Sequence, residues 1–258
     1  MSVMTGRVLR AFLLPAVLGL GALSLASASA ADPGQVRQAD LEQPPSAAQA
    51  GLKFSFYVGD EQQPTTSRVA KLGSDITFPQ GLFDGMILGF TDKSPISGKL
   101  AIPATSSYFV SFRFMPATGT VELIPDGDST GVVDVDTGAT GDCKEVGTII
   151  CAHTDVTSKV FIKLSNVKVD GKVLDVGPNC RTAQSAAVNI KALVPLAFPA
   201  SSVKITSTFS TPGFTGCGVR EDLSPLLTGL VAGPGNTLVT NLKLRCVGSG
   251  APPNGCGA

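Results

Sequence analysis

Apolar and polar residues alternate along most of this chain with a period of two, the spacing of a β-strand that buries one face. Leu52, Phe54, Phe56 and Val58 alternate with Lys53, Ser55 and Tyr57, and ordered structure is expected to begin there. Tyr108, Val110, Phe112 and Phe114 repeat the pattern most cleanly, which predicts an aromatic face turned into the core. Val160, Ile162 and Leu164 define the inward face of a strand over 159–164. Val188–Val194, Val203–Phe209 and Thr237–Arg245 read as further strands. Shorter candidates are Arg68–Leu72, Asp75–Phe78, Gly98–Ile102, Thr120–Ile124 and Glu145–His153. Pro103 and Pro125 end two of them, because proline cannot donate to a ladder.

The punctuation between these runs is equally readable. Asp170-Gly171 follows Val167-Lys168-Val169 and precedes Lys172-Val173, the signature of a tight hairpin. A type I′ turn needs positive φ at both central residues, and Asp-Gly adopts that at little cost. Gly131–Asp136 alternates too, but its acidic positions predict an edge strand or a solvated face. Gln80–Phe90 is apolar and interrupted by Gly81, Gly85 and Gly89, as in a bulged strand or a buried loop. One short helix is expected at Ser224–Leu230, with Ser224 as N-cap, Pro225 at the first helical position and Gly229 near the end.

About a dozen short strands and almost no helical period predict an all-β fold, an antiparallel sandwich or barrel-like sandwich. Strand spacing changes little over 51–247, so one domain is expected there, with a split in the Gly- and Thr-rich segment Thr137–Asp142 as the alternative. Composition agrees: 16% charged residues, 29 glycines and 18 prolines suit many short strands joined by turns.

The N-terminus carries Arg7 and Arg10, then an apolar run from Ala11 to Leu25, then Ala28-Ser29-Ala30. These are the three regions of a secretory signal, so residues 1–30 are read as a cleaved export signal and 31–50 as a flexible lead-in. Removing Arg7 and Arg10 from 20 basic residues leaves 18 against 20 acidic. A nearly neutral chain offers no electrostatic footprint for nucleic acid and no polybasic segment for a membrane surface. No integral membrane segment is expected after cleavage.

Six cysteines follow: Cys143, Cys151, Cys180, Cys217, Cys246 and Cys256. An even number in an exported chain points to three disulfides. Sequence alone does not fix their connectivity; nearest-neighbour pairing is the simplest expectation, and it ties the tail 248–258 through Cys256. The chain has one histidine and no C-x-x-C pair, which argues against zinc.

Candidate catalytic groups are few. His153 lies two residues from Cys151, so a Cys–His pair on one strand face is conceivable. A disulfide cysteine beside a histidine at a strand end explains the same residues. Asp126-Gly127-Asp128-Ser129-Thr130-Gly131 opens like a calcium loop, but Thr137 stands where its bidentate glutamate belongs. Two Asp-Gly turns account for it. Glu122, Asp134, Asp136 and Glu145 could supply a carboxylate pair, a signal with little specificity. The chain has no tryptophan and only Tyr57 and Tyr108, which disfavours sugar stacking. No catalytic, cofactor or metal residue is assigned.

Over 167–236, and above all at Leu174–Thr182, Phe214–Gly218 and Glu221–Asn236, the chain resembles a group of secreted actinobacterial proteins of unknown function. The resemblance implies export by a high-GC Gram-positive bacterium, a β-rich disulfide-bonded fold, and Cys180 with Cys217 as a structural pair. It carries over no catalytic or binding residue. The expected function is that of a secreted or cell-envelope β protein without enzymatic activity, structural or binding. A secreted hydrolase with an unrecognised carboxylate site is the alternative. An apolar-ligand carrier is another, suggested by Leu82, Met86, Ile87 and Phe90; it requires an enclosed apolar cavity of a few hundred Å³.

Overall fold

The computed structural model describes residues 51–89, 92–111, 114–138, 141–249 and 255–256. The export signal and lead-in expected over 1–50 lie outside these residues, as do Phe90, Phe112 and most of the tail. The strands are β1 (Gly51–Val58), β2 (Thr65–Val69), β3 (Ser74–Phe78), β4 (Gly81–Leu88), β5 (Ser94–Ala101), β6 (Thr105–Ser111), β7 (Met115–Pro125) and β8 (Ser129–Thr137). A 3-10 turn at Gly141–Lys144 leads to β9 (Ile150–Val169), followed by the short β10 (Lys172–Val173) and β11 (Arg181–Thr182). β12 (Ala186–Pro195), β13 (Val203–Thr211), β14 (Phe214–Thr215), α1 (Ser224–Val231), the single α-helix among the described residues, and β15 (Gly233–Val247) follow.

Two long strands carry the architecture. β9 pairs with β8 along its first half and with β7 along its second, both on one edge. Its other edge is taken by β12 and then β11. β15 repeats the arrangement, with β1 and β2 in succession on one edge and β13 on the other. β4 and β5 bridge β1 to β8, so one antiparallel sheet runs from β9 round to β15. The sheet then folds back on itself. β12 lies against β13, where the Ser207 hydroxyl donates to the Asn189 carbonyl at 2.7 Å. β3 lies against β6. No ladder joins either pair among the described residues, so the sheet remains open and sandwich-like. This is the all-β, disulfide-stapled fold with one short helix that the alternation predicts. Thr137–Asp142 marks no break, because β8 and β9 on its two sides pair directly.

Cross-strand chemistry explains the tight places. Gly85 and Gly98 face each other across β4 and β5. A Cβ on Gly85 would stand 2.5 Å from the Phe54 ring, and one on Gly98 would stand 2.6 Å from the Phe83 ring. The glycines let the two rings lie flat on the sheet, and the rings cover backbone that glycine leaves bare. Asp170 and Gly171 both have positive φ, at 49° and 73°, so the hairpin from β9 to β10 turns as its sequence predicts.

Two large buried clusters form, beside a small one of Cys143, Val146 and Cys151. Phe54, Phe56, Ile87, Val133, Val156 and Leu244 belong to the first, between β1, β4, β8, β9 and β15. Phe78, Val121, Leu164, Phe214, Leu223 and Leu227 belong to the second, beneath α1. The disulfides are Cys143–Cys151, Cys180–Cys217 and Cys246–Cys256, nearest neighbours in sequence. The middle one joins the loop before β11 to the segment after β14 and is buried in the second cluster.

Several expectations are corrected. Tyr108 and Phe114 are exposed, at 61% and 75%, and β6 turns Ser107, Phe109 and Ser111 inward instead. β8 is not an edge strand, since β5 and β9 flank it; its acids Asp134 and Asp136 do lie on a solvated face. Glu145–His153 is strand only from Ile150, because a 3-10 turn packs Cys143 and Val146 over Cys151. Ser224 is not the N-cap. Leu223 holds that place, and the Asp222 carboxylate accepts from the Ser224 N–H at 2.9 Å. The Ser224 hydroxyl is engaged elsewhere, accepting from the Cys217 N–H at 3.2 Å. Gly229 lies inside the helix, which runs on to Val231.

Candidate functional site

The sequence-predicted polar candidates do not converge. Cys151 is fully buried and bonded to Cys143, so no thiol faces His153. His153 lies on the outer surface, with its Nε2 2.9 Å from the Asp142 carboxylate, and both side chains are more than half exposed. That pair clips the 3-10 turn onto β9. Ligand-type atoms of Asp136, Cys143 and Cys151 lie within 4.8 Å of one another, but both sulfurs are spent on the disulfide. Glu122 pairs with Lys163 at 3.2 Å, and Asp134, Asp136 and Glu145 are exposed. In the calcium-like turn between β7 and β8, the Asp128 carboxylate accepts from the Ser97 hydroxyl at 3.2 Å.

Two acids have lowered pKa values, and both stand on the surface. Asp155 is held below the ordinary carboxylate range by a hydrogen bond from Asn189, then by Lys191. Asp222 is lowered by the Ser224 hydroxyl and the Ser224 N–H at the start of α1. Each effect belongs to a sheet pair or a helix start; Asp222 borders a shallow surface depression formed by 216–222.

A deep, largely apolar hollow lies in the interior of the molecule. Between the two faces of the folded sheet lies a cavity of about 340 Å³. Phe54, Phe56, Val133, Val156, Ile190 and Leu242 line it from the first cluster. Val121, Ile162, Leu164, Phe214 and Leu227 line it from the second. Thus the void is where the two clusters meet, spanned by β9 and β15. Leu226 of α1 lines it and is also 41% exposed, which places α1 at an end of the cavity. The turn between β2 and β3 reaches the same helix, where Lys71 Nζ donates to the Gly229 carbonyl at 3.2 Å.

Among the described residues, none that lines the cavity has an ionisable side chain. Its polar members are serines and threonines, and most are already satisfied. Thr65 and Thr240 share a hydrogen bond at 2.6 Å, Ser158 bonds Ser129 at 2.7 Å, and Thr154 donates to the Ala192 carbonyl at 2.9 Å. Thr211 accepts from the Asn236 amide at 2.9 Å. Of the apolar residues singled out in the glycine-broken stretch, only Ile87 lines the cavity; Leu82 and Met86 do not, and Phe90 lies outside the described residues. The inward face of β4 is the one carrying Phe83 and Ile87.

No protein-family model matches the chain, no curated protein matches it, and no solved structure matches it.

Proposed function

We propose that this is a secreted or cell-envelope β protein, without enzymatic activity, that holds an apolar molecule in its interior. The observation that carries the reading is the deep, predominantly apolar cavity of about 340 Å³. Protein interiors are close-packed, and voids larger than a few water molecules are rare. At about 24 cal/mol per Å³, an unfilled space of this size costs on the order of 8 kcal/mol. That is comparable with the entire stability of a typical domain. A sequence that surrounds such a space with mostly aromatic and aliphatic side chains, interspersed with a few serines and threonines, gains from an occupant. The volume lies at the lower end of small-molecule sites. At about 30 Å³ per methylene-sized group it holds roughly a dozen such groups.

Export is supported by the signal-like N-terminus and by three disulfides, which persist in oxidising spaces. No helix among the described residues is long and apolar enough to cross a membrane. Against hydrolysis stands the placement of the carboxylates of the described residues, all of them outside the cavity wall.

The test is titration of the disulfide-intact chain, after organic extraction, with N-phenyl-1-naphthylamine, an uncharged dye that brightens in apolar surroundings. Saturable binding of one dye per chain is expected. Absence of saturable binding overturns the proposal.

A further inference from the structure

From the same cavity we infer the class of occupant: an uncharged amphiphile whose oxygen function is hydrogen-bonded inside the protein by Ser67 or by Ser111. The inference rests on the ligand-binding reading above and adds the chemistry of recognition.

Six buried hydroxyl side chains line the cavity: Thr65, Ser67, Ser111, Ser158, Thr211 and Thr240. Four are satisfied within the sheet, as described. Ser67 and Ser111 are the exceptions. They are 7% and 4% exposed, and neither hydroxyl has a hydrogen-bond partner among the described residues. No buried side-chain oxygen is sealed off without a partner, so these two hydroxyls keep their open surface toward the cavity they line. They sit on β2 and β6, and β3, which pairs with β2, lies against β6. The two hydroxyls are thus separated by β3 and offer two alternative anchoring points, while β1, β4, β5 and β8 supply much of the aromatic and aliphatic wall.

A buried hydroxyl left without a partner is costly, and a binding site that contains one favours a ligand able to pair with it. A hydroxyl can both donate and accept, so an alcohol, ester or ketone oxygen satisfies it. A carboxylate or ammonium group does not fit this site. It would enter a wall without counter-charge and pay the desolvation of an unpaired ion. The ligand class is thus a neutral lipid-like molecule of about ten to twelve carbons, or a segment of that length, with one oxygen.

The experiment is displacement of bound N-phenyl-1-naphthylamine by three ten-carbon competitors: 1-decanol, decanoate at pH 8 and butylbenzene. Decanol is expected to compete at concentrations about tenfold or more below decanoate. In the double variant Ser67→Ala, Ser111→Ala, decanol should weaken roughly fivefold to tenfold while butylbenzene is unchanged. Decanoate competing as well as decanol overturns the inference on the unsubstituted protein, with no variant needed. Equal losses for decanol and butylbenzene, or no loss for either, overturn it as well, because the serines would then shape the wall without pairing with oxygen. Failure of the dye itself to bind overturns the underlying proposal, an outcome distinct from these.

Discussion

Replacing Val156 by phenylalanine asks whether the interior space is real. Val156 lies in the middle of β9, opposite Ile190 on one edge and Gly131 on the other, and its side chain lines the cavity. Phenylalanine suits a strand as well as valine does, so backbone propensity changes little. The larger ring adds about 50 Å³, which at 24 cal/mol per Å³ of void removed stabilises the ligand-free chain by about 1 kcal/mol. In a filled core the same substitution costs about 1–3 kcal/mol through forced rotamers and backbone shifts. The sign therefore decides. Urea unfolding of the extracted, disulfide-intact protein should show a higher midpoint with unchanged slope, and melting should rise by about 2–4 °C. Dye binding should weaken, because the site is partly filled. A lower midpoint together with unaltered dye binding would refute the reasoning, for it would mean that β9 packs against a closed core.

Other substitutions test the frame around the cavity. Gly131→Ala should prevent normal folding, since its Cβ would clash with the Asp155 carbonyl across the ladder; secreted yield and circular dichroism report it. Gly229→Ala is the contrast: nothing lies within 4 Å of its Cβ in α1, so a gain of about 0.5–1 kcal/mol is expected by urea unfolding. Replacing Cys180 and Cys217 by alanine opens a loop of separation 37. It should cost about 4 kcal/mol on the chain-entropy model, more than the roughly 3 kcal/mol for Cys246 and Cys256, and denaturation midpoints of the two variants rank them. Asp222 has a folded pKa below its unfolded value, so its contribution is present above about pH 4 and is lost as pH falls through the folded pKa. Asp222→Asn should accordingly lower stability at neutral pH and flatten the acid limb of the stability curve; an unchanged acid limb contradicts the capping role.

Local rules were enough for much of the frame. Period-two alternation placed β1, β12, β13 and β15, Asp170-Gly171 placed the hairpin, and the cysteines joined their neighbours. The errors arose where tertiary context outweighs pattern. The large residues of β6 and its turn, Tyr108 and Phe114, mark the outward face, because the inward face borders a cavity and carries Ser107, Phe109 and Ser111. Two separate strand signals before and after Thr157 are one strand, β9, since edge partners on both sides keep it extended through the junction. Leu223 takes the cap position in place of Ser224, whose hydroxyl accepts from the Cys217 N–H and whose own N–H is held by Asp222. A cavity leaves no local mark at all. Its walls are read as ordinary core residues, and only the distance between sheet faces distinguishes a void from a filled interior. Ser67 and Ser111 likewise look like routine strand serines until the partners of every other buried hydroxyl in the wall are known.

The most direct test of the central claim is a crystal of the extracted protein under xenon pressure, since xenon enters dry apolar cavities without needing a polar contact. The account predicts xenon inside the sheet, against Phe56, Val156 and Leu242 where the two clusters meet. Side chains from the two clusters in mutual contact across that space, with no xenon between them, would contradict it.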